Sequence, residues 1–206
     1  MIFGNGQRVL FIGDSITDCG RTGPLAPHGD GYFNLLRSLV TARHPEVALT
    51  WLNRGVSGDT VRNLRQRWSR DVLDERPDWL SVMIGINDVW RAFGDRPHEA
   101  VPIDEYESTL RALLTEAVEA TGCRLIVGTP YFIEPDLTDP QRAQSDRYAA
   151  VARRIAAEHG ALLVDTQAMF DDLLTHRPPS AWAPDRVHPG IEGHAALALT
   201  FLSTIQ

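Results

Sequence analysis

Five residues of this 206-residue chain carry chemistry that fits together: Ser15, Gly58, Asn87, Asp185 and His188. A serine hydroxyl is a poor nucleophile at its own pKa, so attack on an ester needs an imidazole to take the proton. A carboxylate must then hold that imidazole in the correct tautomer and stabilise the imidazolium that forms. Asp185 and His188 lie three residues apart and can meet both needs from one loop, with Pro184 and Pro189 restricting the backbone on either side. The tetrahedral intermediate carries a negative oxygen that needs preorganised donors. The backbone N–H groups of Ser15 and Gly58 and the side-chain amide of Asn87 could supply three. The set calls for no metal and no cofactor.

Each residue alone has an ordinary alternative. Ser15 could close a turn or cap a helix, Gly58 could simply allow a positive φ, and Asn87 is a common turn former. Asp185 and His188 could be a surface ion pair. Their order along the chain is what argues for a site.

Five short apolar runs recur: Val9 to Ile12, Val47 to Leu52, Trp79 to Ile84, Leu125 to Val127 and Leu162 to Val164. Runs this apolar read as strands buried on both faces, the parallel-sheet case. Between them lie helical patterns at about 31–43, 59–74, 104–121 and 140–159, with a last one at about 190–204. Tyr106, Leu110, Leu113, Leu114, Ala117 and Val118 make one stripe at helical spacing, and Gly122 and Gly160 stop two helices before the next strand. Strand alternating with helix predicts one α/β domain over residues 1–206, a flavodoxin-like three-layer sandwich with a five-stranded parallel sheet in the order 2-1-3-4-5. Ligands in such sheets bind beyond the carboxyl ends of the strands. Gly13-Asp14-Ser15, the segment from Asn53 to Thr60, and Gly85-Ile86-Asn87-Asp88 follow the first three strands there. Asp185-Arg186-Val187-His188 precedes the last helix.

Composition narrows the function classes. The chain is 43% hydrophobic and 23% charged with a net charge of -7, an ordinary globular balance that disfavours nucleic acid or an anionic bilayer as partner. All 20 basic residues are arginine, which removes Walker phosphate loops, Schiff-base chemistry and Ser-Lys dyads. Cys19 and Cys123 are too few for a disulfide framework and sit in no CxxC pair, so a reducing, cytoplasmic setting is expected. No charged leader and no apolar stretch of membrane-spanning length is read.

Gly-Asp-Ser at 13–15, Gly58, Gly85-x-Asn87-Asp88 and Asp185-x-x-His188 resemble, in kind and order, the GDSL or SGNH hydrolase superfamily. The blocks span residues 13 to 188. The resemblance implies Ser15 as nucleophile, Gly58 and Asn87 as oxyanion-hole donors, His188 as base and Asp185 as its partner. Asp14 and Asp88 would tie the active-site loops by hydrogen bonds. Ile16-Thr17-Asp18 stands where the family name has leucine, a variation that leaves the chemistry intact. No Gly-x-Ser-x-Gly elbow is present, which argues against the α/β-hydrolase fold.

The block Gly13 to Arg21 followed by Gly31-Tyr32 resembles the carbohydrate acetylesterase branch, whose acetylxylan-esterase-like members deacetylate xylo-oligosaccharides. An acetylated oligosaccharide is therefore the expected small-molecule partner, with lysophospholipids, thioesters or other short esters as alternatives. Trp90, Tyr131, Phe132 and Trp182 fall near strand ends and could wall a sugar pocket, or could serve packing or a subunit contact in a homo-oligomer.

Three rival readings compete. Asp185, His188, Glu192 and His194 cluster near the C-terminus, but their spacing matches no common zinc motif. Arg62, Arg65, Arg67 and Arg70 suggest an anion-binding surface, yet Asp59, Asp71, Asp74 and Glu75 surround them, so a solvated, charge-laced helix is expected. Asp14, Asp18, Asp88 and Asp185 could serve a two-carboxylate glycosidase, but that gives no reason for Ser15, Asn87 and His188 to converge.

Overall fold

A computed structural model describes residues 1–206. Strand β1 (Arg8–Gly13) runs into a single helical turn, α1 (Ser15–Asp18), and α2 (Tyr32–Arg43) follows. Then come β2 (Thr50–Gly55), α3 (Val61–Trp68), β3 (Trp79–Met83), α4 (Ile86–Trp90) and α5 (Ile103–Thr121). The chain ends with β4 (Arg124–Gly128), α6 (Pro140–Glu158), β5 (Leu162–Val164), α7 (Thr166–Leu174) and α8 (Ile191–Ile205). All strands pair in parallel in the order β2-β1-β3-β4-β5, as the alternation predicts.

Side chains of a central strand alternate between its faces, and that period builds two cores. From β1, Val9 and Phe11 pack with α2, α7 and α8, while Leu10 and Ile12 pack with α3, α5 and α6. Phe11 lies within aromatic contact of Tyr32, Phe33, Trp51 and Phe201, which locks α2 and α8 onto the sheet. Removing such a ring costs about 3–5 kcal/mol. The two cores hold the carboxyl edge rigid.

Besides the short helices α1 and α4, which stand outside the expected helical segments, the structure departs from expectation at three places. Strand β2 runs Thr50–Gly55, three residues later than the apolar run, because the chain is still turning at Val47, whose N–H donates to His44. Pairing starts at Arg8 against Thr50 and carries the polar Asn53 and Arg54 into the sheet. The expected helix over 59–74 is an α-helix only to Trp68, then widens into a π turn over Ser69–Leu73. Helix α7 was not expected; Asp165 caps it by accepting from Ala168 N–H at 3.1 Å, and Met169, Phe170, Leu173 and Leu174 pack inward.

The arginine helix is charge-laced but not solvated throughout. Arg62 pairs with Glu105 and Arg70 with Asp71, whereas the Arg67 side chain is only 10% exposed. It bridges Asp59 and Asp71, each at 2.7 Å, and donates to the carbonyl oxygens of Arg54 and Gly13. No helix is long and apolar enough to cross a membrane.

Candidate active site

The end of β1 fixes Ser15. Asp14 leaves the strand in an extended conformation, and its carboxylate accepts from Ile16 N–H at 3.0 Å, so Ser15 opens α1. The first residue of a helix has no intrahelical acceptor for its N–H, which leaves that donor directed outward. Ser15 Oγ stands 2.9 Å from His188 Nε2. On the other side of the ring, His188 Nδ1 lies 2.6 Å from Asp185 Oδ2.

This chain of contacts selects a tautomer. With Asp185 ionised, Nδ1 carries the proton and Nε2 is free to accept from the Ser15 hydroxyl. Burial pushes the Asp185 carboxyl up, but hydrogen bonds from the His188 ring and from the N–H groups of His188 and Val187 outweigh it and hold it below the usual carboxylate range. Those backbone bonds, at 2.8 and 3.0 Å to Oδ1, make Asp185 the organiser of its own loop.

Two of the residues expected to wall a substrate pocket support this loop instead. Tyr131 and Phe132 are fully buried, because the segment after β4 packs under residues 185–188 rather than facing solvent. Tyr131 donates its hydroxyl to Val187 O at 3.2 Å, and Ile133 N–H donates to Arg186 O at 2.9 Å. The Arg186 guanidinium sits 4.7 Å from the Phe132 ring centre and pairs with Glu134 at 2.7 Å. Trp182 also stays off the cavity: it is half-buried against the core, and its carbonyl accepts from Gly190 N–H at 2.8 Å.

Gly58 and Asn87 face Ser15 from the next two loops. Gly58 has φ +85°, a left-handed conformation that L side chains rarely adopt, and its N–H donates to no protein acceptor. Asn87, on the first turn of α4, spends one amide hydrogen on Asp59 O at 3.0 Å, leaving the other uncommitted. Behind them, Asp88 accepts from Val61 N–H at 3.1 Å and so ties α4 to the start of α3. Burial pushes the carboxyls of both Asp14 and Asp88 up to about 7. Buried that deeply, neither offers a glycosidase pair to a ligand.

A cavity of about 680 Å³ opens over Ser15, Gly58, Asn87 and His188. Trp90 is its one hydrophobic lining residue, with its ring 5.5 Å from that of His188. The remaining wall comes from Ser57, Arg91, Gly94, Asp95 and Arg96, residues that sequence reading missed. Ser57 lies beside Gly58 in the segment after β2; for the other four the signal was position alone, since they follow Trp90 beyond the carboxyl end of β3.

The metal reading fails on geometry. No group of three or more His, Cys, Asp or Glu is placed to hold an ion. His194 is buried, its Nδ1 accepting from Tyr32 N–H at 3.2 Å and its Nε2 lying 3.3 Å from Cys19 Sγ. Burial pulls its pKa down to about 4, so it is a neutral packing residue.

Residues 11–196 match the model of the GDSL-like lipase/acylhydrolase family. An acetylxylan esterase from Geobacillus stearothermophilus is 46% identical over 213 aligned positions, covering 100% of this chain and 96% of that protein. The crystal structure of Axe2, an acetylxylan esterase from Geobacillus stearothermophilus, superposes with a TM-score of 0.95 at 45% identity, covering 100% of this chain and 96% of that one. LAE5, an alpha/beta hydrolase enzyme from the metagenome of Lake Arreo, Spain, superposes with a TM-score of 0.94 at 43% identity, covering 100% and 97%. The chain belongs to the GDSL-like lipase/acylhydrolase family, and its chemistry is that of a serine ester hydrolase.

Proposed function

We propose that this esterase removes acetyl groups from acetylated xylo-oligosaccharides, with Ser15 as nucleophile. The observation that carries the substrate reading is the cavity wall. A long acyl chain needs an apolar channel, whereas here a single tryptophan stands among charged, hydroxyl and backbone groups. Such a wall suits a short acyl group joined to a polyhydroxylated leaving group, with the Trp90 face available to a sugar ring. The similarity to an acetylxylan esterase over the whole chain supports the same reading.

In this mechanism Ser15 Oγ attacks the acetyl carbon while its proton passes to His188 Nε2, and the imidazolium is stabilised by Asp185. The carbonyl oxygen becomes an oxyanion held by the N–H groups of Ser15 and Gly58 and by Asn87 Nδ2. The C–O bond to the sugar breaks, and the leaving alkoxide takes the proton from His188. Water then attacks the acetyl-enzyme, giving its proton to His188, and collapse releases acetate and restores the Ser15 hydroxyl. Both cysteines are free thiols, which fits work in the reducing cytoplasm.

Initial rates on p-nitrophenyl acetate, butyrate and octanoate and on an acetylated xylo-oligosaccharide, for wild type and Ser15→Ala, test the reading. The acetyl ester and the oligosaccharide should turn over fastest, and Ser15→Ala should be nearly inactive. Preference for octanoate with an inert sugar would move the substrate to lipids. Full activity of Ser15→Ala would remove the mechanism as well.

A further inference from the structure

The Ser57–Gly58 peptide, which bears the Gly58 N–H, is anchored on both sides. Before it, the Ser57 N–H and hydroxyl both donate to Asp18 Oδ2, at 3.1 and 2.9 Å. After it, the Gly58 carbonyl accepts from Arg91 Nη2 at 3.0 Å. Asp18 closes the helical turn that Ser15 opens, so one carboxylate links the serine's own turn to the loop that carries the donor.

The sequence permits this link through Gly55. A Cβ there would lie 2.2 Å from Asp18 N and 2.6 Å from the Thr17 carbonyl carbon, so only glycine lets the end of β2 approach α1 this closely. Asn53 Nδ2 donates to Thr17 O at 2.8 Å, and Arg21 donates to the Gly55 carbonyl, lacing strand and turn together. Neither bond reaches past Gly55 towards Gly58. Asp18 makes the one side-chain bridge from α1 to the residue before the donor.

We propose that Asp18 is a positioning residue of the oxyanion hole, fixing the Gly58 N–H relative to Ser15 Oγ. It touches no reacting atom and acts through Ser57. The inference rests on the reading of the Gly58 N–H as an oxyanion donor. Such a donor acts only if it is held where charge develops, and a misplacement near 1 Å costs up to about 10²-fold in rate. Without Asp18 the loop keeps the Arg91 anchor beyond Gly58 and the Val56 N–H bond to Gly13 O at 3.0 Å, and loses the hold on Ser57 itself, the residue that shares the peptide bearing the donor.

The test compares Asp18→Ala and Asp18→Asn with wild type on p-nitrophenyl acetate. It also measures inhibition by methylboronic acid, which forms an acetyl-sized tetrahedral adduct on Ser15 Oγ. Asp18→Ala should lower kcat by about 10–100-fold with KM within about threefold, and should weaken methylboronic acid by a similar factor. Asp18→Asn keeps an oxygen that can accept from Ser57 and should recover most of both losses. A residue that merely supported folding would lower Tm without moving the inhibitor constant. Wild-type kcat and boronate affinity in a folded Asp18→Ala would overturn the proposal, as would equal losses in both variants. If Ser15→Ala is inactive while Asp18→Ala is unaffected, the positioning role alone falls. An active Ser15→Ala removes the serine mechanism too, and an octanoate preference of the wild type bears only on the substrate.

Discussion

The hydroxyl of Tyr131, a residue with no exposed surface, donates to the carbonyl oxygen of Val187, one residue before His188, at 3.2 Å. The same ring packs 4.5 Å from Phe170 in the core beneath the sheet's edge. The core thus reaches the histidine loop through this phenol, beside the Ile133 N–H bond to Arg186 O. Tyr131→Phe keeps the packing and deletes the bond, leaving a buried carbonyl with one partner fewer. A loss of about 1–2 kcal/mol in thermal or denaturant unfolding is expected, with a severalfold fall in kcat on p-nitrophenyl acetate. Unchanged stability together with unchanged kcat would show that the loop does not depend on this bond.

Asp185 offers a sharper test of the catalytic reading. Asn at this position keeps an Oδ1 that can accept from the N–H groups of Val187 and His188, so the loop should hold its shape. Its amide would face His188 Nδ1 as a donor and drive the proton to Nε2, the nitrogen that must accept from Ser15. A fall in kcat of about 10³–10⁴ is expected, with KM and Tm close to wild type. A loss under tenfold would mean that His188 is oriented by something else.

The two buried carboxyls give the protein a pH dependence of definite sign. Asp88 is pushed up to about 7 by burial, against an unfolded value of about 3.9. Between those values the folded state holds a proton that the unfolded state has lost, so this group's contribution to stability is full below about 4 and declines until about 7. Asp88→Asn lacks the titration and keeps an oxygen to accept from Val61 N–H. Its unfolding free energy, relative to wild type, should therefore rise as pH goes from 4 to 8. A difference that stays flat, or falls, across that range would refute the assignment.

Trp90 is the place to separate sugar from ester. It is the one hydrophobic residue among those lining the cavity. Trp90→Ala should lower kcat/KM on the acetylated xylo-oligosaccharide by about tenfold, the loss of one stacking contact, and should change p-nitrophenyl acetate by less than about threefold. Equal losses on both would place Trp90 in support of His188, which its ring also approaches, rather than in sugar recognition.

Much of this architecture is legible in the sequence. Strands buried on both faces announce themselves as continuous apolar runs, and five strands alternating with helices suggest the flavodoxin-like order that the sheet has. The serine, glycine, asparagine and Asp-x-x-His groups could be ordered along one sheet edge because each follows a strand end or precedes a helix. Of the four aromatics, Trp90 lines the cavity while Tyr131, Phe132 and Trp182 take the packing alternative, for a physical reason. Sequence gives the distance of Tyr131 and Phe132 from the strand end, but not that the next segment dives under the histidine loop. The cavity wall was invisible because Arg91, Asp95 and Arg96 look like any surface loop. Asp18 read only as one of four acids available to a glycosidase, since its meaning depends on how closely Gly55 lets two elements approach.

The same limit applied to Arg67, where helical spacing offered a surface residue and the fold delivered a buried hub. Burial leaves Asp59 above its ordinary value despite Arg67, whereas Asp71 lies below its own because hydrogen bonds from Arg70 and Arg67 outweigh its burial. Removing the cation strands Asp59, leaves Asp71 to the exposed Arg70 alone, and also takes a donor from Gly13 O, next to the serine turn. Arg67→Met should cost about 3–5 kcal/mol, a drop in Tm of roughly 10 °C for a chain of this size. Lost packing would produce a fall of similar sign, so the single variant does not identify the cause. Arg67→Met combined with Asp59→Asn and Asp71→Asn does, because it removes the charges along with their partner. If stranded charge is the cause, the triple variant should regain most of the lost stability, since replacing a whole buried ion network is often close to neutral. If the triple variant is as unstable as Arg67→Met or worse, the arginine holds the site through its hydrogen bonds to the backbone of Gly13 and Arg54 instead.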